Sequence, residues 1–404
     1  MIGFLTEDIM RIAIYSDCNS RGGVWAYSIR TIIMLKRLGY KVYLVSHKPR
    51  NDVEESLLND LGRDVDSSLI LSRDLGEKSL ANDICKFLLL NDIDAFIPNY
   101  RRISYYAAAK ATRFKRIDII GVCHNDHESY YSVLIRFQNI VSVFICASSK
   151  TSRVLSAKLS ERNRDKVFLI PHYISKKPLE KTRYKKEEFT VVYHGRIQEE
   201  QKNCSKIIEI ASLVCREECN IRFLLIGDSN DSGFYRRLIE QNGISDQVKL
   251  LPGAPWEEIK LILSGSQVAL LTSSYEGFCY GAAEALACGV PVGAYDCGEV
   301  IKDFLVTGKN GLLVGWGESR KLANWILELY HDEAEWRRLS DGAYDISNDY
   351  FSFDRISQKY KKAIGGSIHS GSKWPLIRPL FIPEKGRSIR SFIDRQGRRF
   401  GVWP

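Results

Sequence analysis

The feature that most constrains the fold of this chain is a repeated alternation between short apolar runs and stretches with helical periodicity. Apolar runs of strand length end at polar turns, and apolar residues spaced three or four apart follow them. In the first such helix these residues are Val24, Tyr27, Ile32 and Leu35, and Gly39 ends the pattern. Repeated strand–helix–strand units predict parallel, doubly wound sheets with helices on both faces.

The alternation falls into two series that a polar segment separates. The first series predicts strands at residues 11–16, 41–46, 95–98, 117–123, 141–147 and 167–170, and the second at 189–193, 222–226, 248–251, 268–271 and 292–295. Residues 175–188 are basic and include a proline, which predicts a linker. We therefore expect two Rossmann-like α/β domains, at residues 1–174 and 189–345, that face each other across a cleft.

The composition limits the cellular locations in which such a protein would act. The 404 residues are 45% hydrophobic and 26% charged, and no apolar run approaches the roughly 20 residues that a membrane-spanning helix needs. The first residues lack the pattern of a signal peptide, and the ten cysteines form no C-x-x-C pair. These observations predict a cytoplasmic protein with free thiols.

The positive charge is concentrated at the end of the chain. The net charge is +9, and between Lys373 and Pro404 eight Lys or Arg stand against Glu384 and Asp394, so this tail carries +6. The linker holds a second basic cluster, and the rest of the chain lacks the broad basic face of a nucleic-acid binder. The aromatic, basic tail has two open interpretations: packing on the first domain, or contact with an anionic membrane surface.

The strongest functional signal lies in residues 274–292. An apolar run ends in a polar turn, a helix-forming stretch follows to Gly289, and Pro291 prevents the helix from continuing. The start of such a helix favours an anion, and Gly277 lets the backbone approach a ligand closely. Glu276 and Glu284 flank this place, and carboxylates accept hydrogen bonds from hydroxyls. A phosphate site between two hydroxyl acceptors describes a nucleotide-sugar.

This E-G-F-x-x-x-x-x-E-A-x-A-x-G-x-P-V pattern resembles the donor-binding motif of the family 4 retaining glycosyltransferases (glycosyl transferases group 1), which have the two-domain GT-B architecture. The resemblance implies that Glu276 binds donor-sugar hydroxyls and Glu284 binds the ribose. It also implies that the backbone of Phe278, Cys279 and Tyr280 holds the diphosphate. The usual family residues are Gly where this chain has Cys279 and Leu where it has Tyr280, which leaves the shape of the sugar pocket open.

A second cluster follows the first strand of the second series. Arg196 comes directly after Gly195, and Lys202 precedes the next helix. A guanidinium binds phosphate oxygens bidentately and an ammonium acts as a point charge, so the two predict stabilisation of a leaving diphosphate. This resembles the family's G-R-x…K-x motif, and Gly227 resembles the glycine of a family turn near the nucleotide.

Two loops of the first series are also candidates. Gly22 and Gly23 lie between its first strand and helix, where a glycine pair permits a tight turn or a close ligand approach. His124 follows the strand at 117–123, and the family resemblance implies that it contacts the donor sugar.

Three polar residues after His124, namely Asp126, His127 and Glu128, are acceptor-side candidates. The alternatives for this loop are ordinary loop polarity and a zinc site, for which no further His or Cys partner is evident. We therefore expect no metal and no other cofactor.

The GT-B resemblance implies that residues 346–404 send a last helix back to the first domain, with 353–364 as the candidate, and end in the basic tail.

The sequence therefore predicts a metal-independent retaining glycosyltransferase. It would move a hexose from a nucleoside-diphosphate sugar to a glycan or lipid-linked acceptor in cell-envelope polysaccharide or lipopolysaccharide biosynthesis. It would act in the cytoplasm, with peripheral contact at the inner face of the membrane as an open possibility. The alternatives are a GT-B nucleotide-sugar hydrolase or epimerase, and a non-catalytic GT-B scaffold that binds a glycan.

Overall fold

The computed structural model describes residues 9–17, 20–174, 179–229 and 231–369. The basic tail from residue 370 onward lies outside these ranges, and so do its two interpretations and residues 175–178 of the predicted linker. Within the described ranges, no helix is long and apolar enough to cross a membrane.

The first domain is a seven-stranded parallel sheet with strand order β3-β2-β1-β4-β5-β6-β7. Its elements are β1 (Arg11–Tyr15), α1 (Gly23–Arg37), β2 (Lys41–His47), α2 (Asp52–Gly62), β3 (Ser67–Leu71), α3 (Glu77–Leu90), β4 (Ala95–Ile97), α4 (Arg102–Ala111), β5 (Asp118–Cys123), α5 (Glu128–Arg136), β6 (Val141–Cys146), α6 (Ser149–Lys158), α7 (Glu161–Arg164) and β7 (Val167–Leu169). Its central strands β1, β4, β5 and β6 are almost wholly buried, because helices cover both faces of the sheet.

The second domain is a six-stranded parallel sheet with strand order β10-β9-β8-β11-β12-β13. Its elements are β8 (Thr190–His194), α8 (Cys204–Cys215), β9 (Arg222–Ile226), α9 (Ser232–Gln241), β10 (Val248–Leu251), α10 (Trp256–Ser264), β11 (Val268–Leu271), α11 (Tyr280–Ala287), β12 (Val292–Tyr295), α12 (Glu299–Lys302), β13 (Gly311–Val314), α13 (Ser319–His331) and α14 (Glu333–Tyr350). The prediction of two Rossmann-like domains is confirmed.

The strand order reverses at one place in each sheet, between β1 and β4 in the first and between β8 and β11 in the second. Connections leave such a switch point in opposite directions, which opens a crevice beyond the carboxyl ends of the strands. The loops that follow these strands therefore line the natural ligand site of each domain.

The last described helix, α15 (Phe353–His369), returns to the first domain as the GT-B resemblance implied. Ile356, Tyr360 and Ala363 of this helix belong to the first-domain core. The Tyr360 hydroxyl donates to the Tyr27 hydroxyl of α1 at 3.0 Å. Residue 346, where the last segment was predicted to begin, lies inside α14. Helix α14 packs against α11 and therefore belongs to the second domain.

The described part of the linker lies along the second domain without forming a helix or strand. Thr182 donates its backbone N–H to the Cys288 carbonyl at 2.8 Å and its hydroxyl to the Ser266 carbonyl at 2.6 Å. The Tyr184 hydroxyl donates to the Tyr330 carbonyl at 2.5 Å. These bonds fix residues 179–188 to the second domain.

Candidate active site between the two domains

The two domains touch where the loop after β5 meets the loop after β11. A Cβ atom placed on Gly277 would lie only 1.9 Å from the carbonyl oxygen of His124, so the two backbones are in direct contact. Glycine is needed there for close approach rather than for an unusual backbone angle. The predicted first-domain and second-domain site loops therefore meet in one place.

Glu276 and Lys202 form an ion pair at the switch point of the second sheet. Lys202 lies in the loop after β8 and Glu276 in the loop after β11, and their side chains are 17% and 8% exposed. The Thr272 hydroxyl donates to the Lys202 carbonyl at 2.8 Å and so joins the two loops. Burial by itself lowers the pKa of Lys202, but Glu276 outweighs it and the net pKa is raised, so the ammonium stays charged.

Arg196 lies at the exposed rim of the same site. Its guanidinium donates to the side-chain oxygen of Gln201 at 2.8 Å, and the Gln201 amide donates to the Tyr275 carbonyl at 2.9 Å. Gln201 therefore connects Arg196 to the Glu276 loop. Because an amide oxygen carries no net charge, the positive charge of Arg196 is not neutralised by this bond.

Glu284 is bound by cationic and imidazole groups from both domains. Arg30 of α1 donates from Nη2 to Glu284 Oε1 at 2.5 Å, and His194 Nε2 lies 2.7 Å from Glu284 Oε2. Burial raises the pKa of Glu284, but Arg30 and His194 outweigh it and the net pKa is lowered. The predicted ribose-binding carboxylate is thus ionised and held between the domains.

Aromatic rings surround this interdomain ion pair. The Arg30 guanidinium lies 5.2 Å from the Trp256 ring centroid and 4.9 Å from the Tyr280 centroid. His172 is stacked on Tyr280, with centroids 5.4 Å apart, and has its edge against Phe278 at 4.7 Å. All four distances lie within the range of cation–π and aromatic attraction. His172, which follows the last predicted strand of the first series, is buried between the domains.

His124 is fixed by an asparagine that also sits at the first-domain switch point. The Asn99 side-chain amide donates to the Tyr15 carbonyl, so its oxygen faces His124 Nε2 at 2.9 Å and accepts from it. This assigns the proton to Nε2 and leaves Nδ1 as an acceptor. Burial lowers the pKa of His124 to about 3, so the imidazole is neutral at physiological pH.

The three acceptor-side candidates have partners inside the first domain. Asp126 accepts from the Tyr131 hydroxyl at 2.6 Å and pairs with Lys150 at 2.6 Å. Glu128 is exposed and pairs with Lys158 at 2.9 Å. His127 caps α5 by accepting from the Ser129 N–H, and its ring lies 5.9 Å from Tyr275 of the second domain.

The hydrogen-bond partners of His124 and His127 count against a zinc site in this loop. His124 and His127 are each engaged by first-domain groups, and in the described ranges no three His, Cys, Asp or Glu side chains are grouped to hold a metal ion.

The other predicted glycines differ in their surroundings. A Cβ on Gly227 would lie 1.7 Å from the carbonyl of Gly195, which has a φ of +146°, so these two glycines let the loops after β8 and β9 pack together. Gly22 is the residue before α1, and a Cβ on Gly23 would lie 3.6 Å from the Tyr280 ring. The start of α1 therefore lies against Tyr280 of the second domain, at a distance that does not require glycine.

Cys279 adopts a left-handed conformation, with φ 71° and ψ 62°, just before α11. A non-glycine residue rarely does so, which explains why the resembling family favours glycine there. The thiol is buried, and burial raises its pKa. Phe278 is also buried, against His172, Phe304 and Phe351. Any ligand contact of these two residues would therefore come through the backbone.

Sequence reasoning missed three residues of this site: Arg30, His194 and Asn99. Arg30 lies 254 positions from Glu284, in a helix whose apolar periodicity gave it no functional signal. His194 and Asn99 each end or follow a strand that borders a switch point, which is the signal that would have identified them.

Comparison with known proteins agrees with this architecture. Residues 175–345 match the family model described as glycosyl transferases group 1. The chain is 24% identical over 246 residues to a poly(glycerol-phosphate) alpha-glucosyltransferase of Bacillus subtilis, covering 57% of this chain and 35% of that protein. It is 30% identical over 153 residues to an MMP alpha-(1->4)-mannosyltransferase of Mycolicibacterium hassiacum, covering 37% of each. The chain thus spans little more than a third of the length of these curated relatives.

Solved structures show the same fold over nearly the whole chain. Anabaena HepE in complex with UDP and glucose superposes with a TM-score of 0.74 at 18% identity, covering 88% of this chain and 100% of that one. The pneumococcal O-GlcNAc transferase GtfA in complex with UDP and GlcNAc gives 0.75 at 14% identity, covering 90% and 100%. The fold is therefore GT-B, and the second domain is the part of the chain that matches the glycosyl transferases group 1 model.

Proposed function

We propose that this chain is a retaining glycosyltransferase that moves a hexose from a nucleoside-diphosphate sugar to a glycan or lipid-linked acceptor. The observation that carries the proposal is the pairing of Glu276 with Lys202 beside Arg196, at the switch point of the second sheet. The site combines a hydroxyl-binding carboxylate with two cations, which suits the sugar and the diphosphate of such a donor.

A cell-envelope polysaccharide or lipopolysaccharide is the proposed product. Relatives named for poly(glycerol-phosphate) and poly(ribitol-phosphate) glycosylation support it, as does structural similarity to a lipopolysaccharide outer core galactosyltransferase, with a TM-score of 0.65 at 18% identity. Work on such acceptors fits a cytoplasmic protein at the inner face of the membrane, which is part of the proposal.

The proposed chemistry follows from where the charges lie. The bond between the anomeric carbon and the diphosphate oxygen breaks, and Arg196 and Lys202 stabilise the charge that develops on the diphosphate. The acceptor hydroxyl attacks the same face of the sugar, and its proton passes to the departing phosphate. Glu276 positions the sugar, and neutral His124 offers hydrogen bonds without adding charge. No metal ion takes part in this scheme.

The central experiment compares Lys202→Ala with Lys206→Ala, which changes a partly exposed lysine in the first turn of α8 that pairs with Glu209. We expect Lys202→Ala to lower kcat/KM for hexose transfer about a hundredfold, since a preorganised charge that stabilises the transition state is lost. Lys206→Ala should keep the wild-type rate. Turnover is measured with UDP-, GDP- and ADP-hexoses in EDTA, and product anomers are assigned by NMR.

Three outcomes would contradict parts of the proposal. Equal rates for the two variants would remove Lys202 from the chemistry, inverted product anomers would remove retention, and loss of activity in EDTA would remove metal independence.

Donor turnover without an acceptor would favour the hydrolase or epimerase alternative. Failure to bind any nucleoside diphosphate by calorimetry would favour the non-catalytic scaffold.

A further inference from the structure

Arg30 is a first-domain residue whose charged group contacts the second domain. It is 9% exposed, and its guanidinium lies between the rings of Trp256 and Tyr280. One of its terminal nitrogens, Nη2, donates to Glu284 at 2.5 Å. The other, Nη1, is buried and has no hydrogen-bond partner among the residues that the structure describes.

The hydroxyl of Tyr280 is in the same situation. It is buried beside the Arg30 guanidinium and makes no hydrogen bond of normal geometry within the described part of the chain. Buried polar groups of native proteins are nearly always hydrogen-bonded, and leaving one unpaired is unfavourable. Both groups lie at the ion pair of Arg30 with Glu284, and a ligand oxygen there would complete their hydrogen bonds.

The charges at this place indicate which part of a donor belongs there. The positive charge of Arg30 is balanced by Glu284, so the pair offers hydrogen bonds without a net charge. A phosphate is better served by Arg196, whose charge no carboxylate balances in the described contacts. The half-buried indole of Trp256 adds a flat aromatic surface beside the Arg30 guanidinium. These features suit an uncharged, planar group that carries oxygen atoms.

We propose that Arg30 and Tyr280 bind the nucleoside part of the donor, through its carbonyl or hydroxyl oxygens, beside Trp256 and Glu284. This inference rests on the proposed function, since it assumes a nucleotide-sugar donor. Glu284 keeps room for such a ligand, because each carboxylate oxygen accepts two hydrogen bonds and one on each is already used. Since Arg30 belongs to the first domain, its contribution to nucleoside binding requires the two domains to be together.

The experiment measures binding to the full chain by calorimetry, with UDP and UMP as probes, or GDP and GMP if GDP binds more tightly. Arg30→Met should raise Kd about tenfold or more, since a charge-assisted hydrogen bond is lost. Tyr280→Phe removes only the hydroxyl and should raise Kd about two- to tenfold. Both losses should be equal for the diphosphate and the monophosphate, because the nucleoside is common to them.

Two control variants separate this effect from general damage. Arg37→Met removes an exposed arginine from the same helix, and Tyr295→Phe removes a buried hydroxyl that bonds to Ser319 in the second domain. Both should bind the probes as the wild type does. If Arg30→Met fails to fold, as thermal melting would show, Tyr280→Phe decides the question alone.

The inference is overturned if Arg30→Met and Tyr280→Phe bind the probes with wild-type affinity, or more tightly. Tighter binding would mean that Arg30 competes with the ligand for Glu284. A loss confined to the diphosphate would also overturn it, because Arg30 would then act on the phosphates. In each of these cases the wild type binds nucleotides and the proposed function stands. A wild type that binds none of UDP, GDP and ADP contradicts the proposed function instead.

Discussion

The two carboxylates of the second-domain motif depend on different parts of the molecule. Glu276 pairs with Lys202 of its own domain, whereas Glu284 pairs with Arg30 of the first domain. A change in domain arrangement therefore leaves the first pair intact and breaks the second. When the domains separate, Arg30 and Glu284 regain contact with water, and Glu284 keeps His194 of its own domain as a partner. Arg30, which the sequence analysis did not identify, is thus the partner whose contact depends on how the domains are arranged.

His172 gives a prediction for pH at the same scale. Burial lowers its pKa well below 6.5, and His124 and Arg30 lower it further, while the rings of Tyr27 and Tyr280 lie against it. Below pH 6.5 the unfolded chain takes up a proton that the folded chain refuses. The free energy of unfolding therefore falls with decreasing pH, by about 1.4 kcal/mol per pH unit for this one group.

His172→Phe keeps an aromatic ring and removes this proton linkage. Urea unfolding at pH 7.5 and pH 5.5 should show that the wild type loses about 1 kcal/mol more stability than the variant over this range. His331→Phe, at an exposed histidine of the second domain, is the control. Identical pH dependence of the wild type and His172→Phe would contradict the prediction.

Secondary-structure elements differ in how well the sequence predicts them. The buried central strands were predicted, because strands covered on both faces read as continuous apolar runs. The two strands that were missed, β3 and β13, lie at edges of their sheets, and most of their residues are exposed or partly exposed. Their apolar runs, at residues 69–71 and 312–314, are only three residues long, so periodicity alone does not identify them as strands.

Helix α6 is the element that joins the first domain to α12 of the second. Ser149 donates its backbone N–H to Asp303 at 2.7 Å, and Arg153 pairs with Glu299 at 2.6 Å. The helix begins with a capping box, in which Ser148 accepts from the Thr151 N–H while the Thr151 hydroxyl accepts from the Ser148 N–H. The start of α6 is therefore fixed by side chains.

The cap makes a prediction about stability. Ser148→Ala should lower the free energy of unfolding by about 1 kcal/mol, because the helix loses the oxygen that accepts from its first turn. Ser152→Ala, one turn into the helix, should be neutral or slightly stabilising, since alanine is the better helix former. Urea unfolding curves of the two variants measure the difference, and equal losses would argue against a capping role.

At the scale of the whole molecule, the active site depends on contact between the domains at Gly277. Gly277→Ala places a methyl group where the His124 carbonyl lies, so the two loops must move apart. We expect turnover to fall about a hundredfold, because a misplacement of about 1 Å at a reacting centre has an effect of that size. Small-angle scattering should show a larger radius of gyration than that of the wild type.

Gly265→Ala is the matched control, since its added Cβ would have 3.6 Å to the nearest atom and its backbone is helical. It should keep both the activity and the scattering of the wild type. Lost turnover in Gly277→Ala with unchanged scattering would mean that the methyl group distorts only its own loop.

The return of α15 has a mechanical consequence. The chain passes between the domains once after Ile174 and again between Tyr350 and Phe353, and the ring of Tyr173 lies 5.4 Å from that of Phe353. Two covalent connections that touch at one point form a hinge. They resist sliding of one domain past the other, so rotation of the domains about this hinge is the favoured motion. We therefore expect the cleft to open by rotation about the contact between Tyr173 and Phe353.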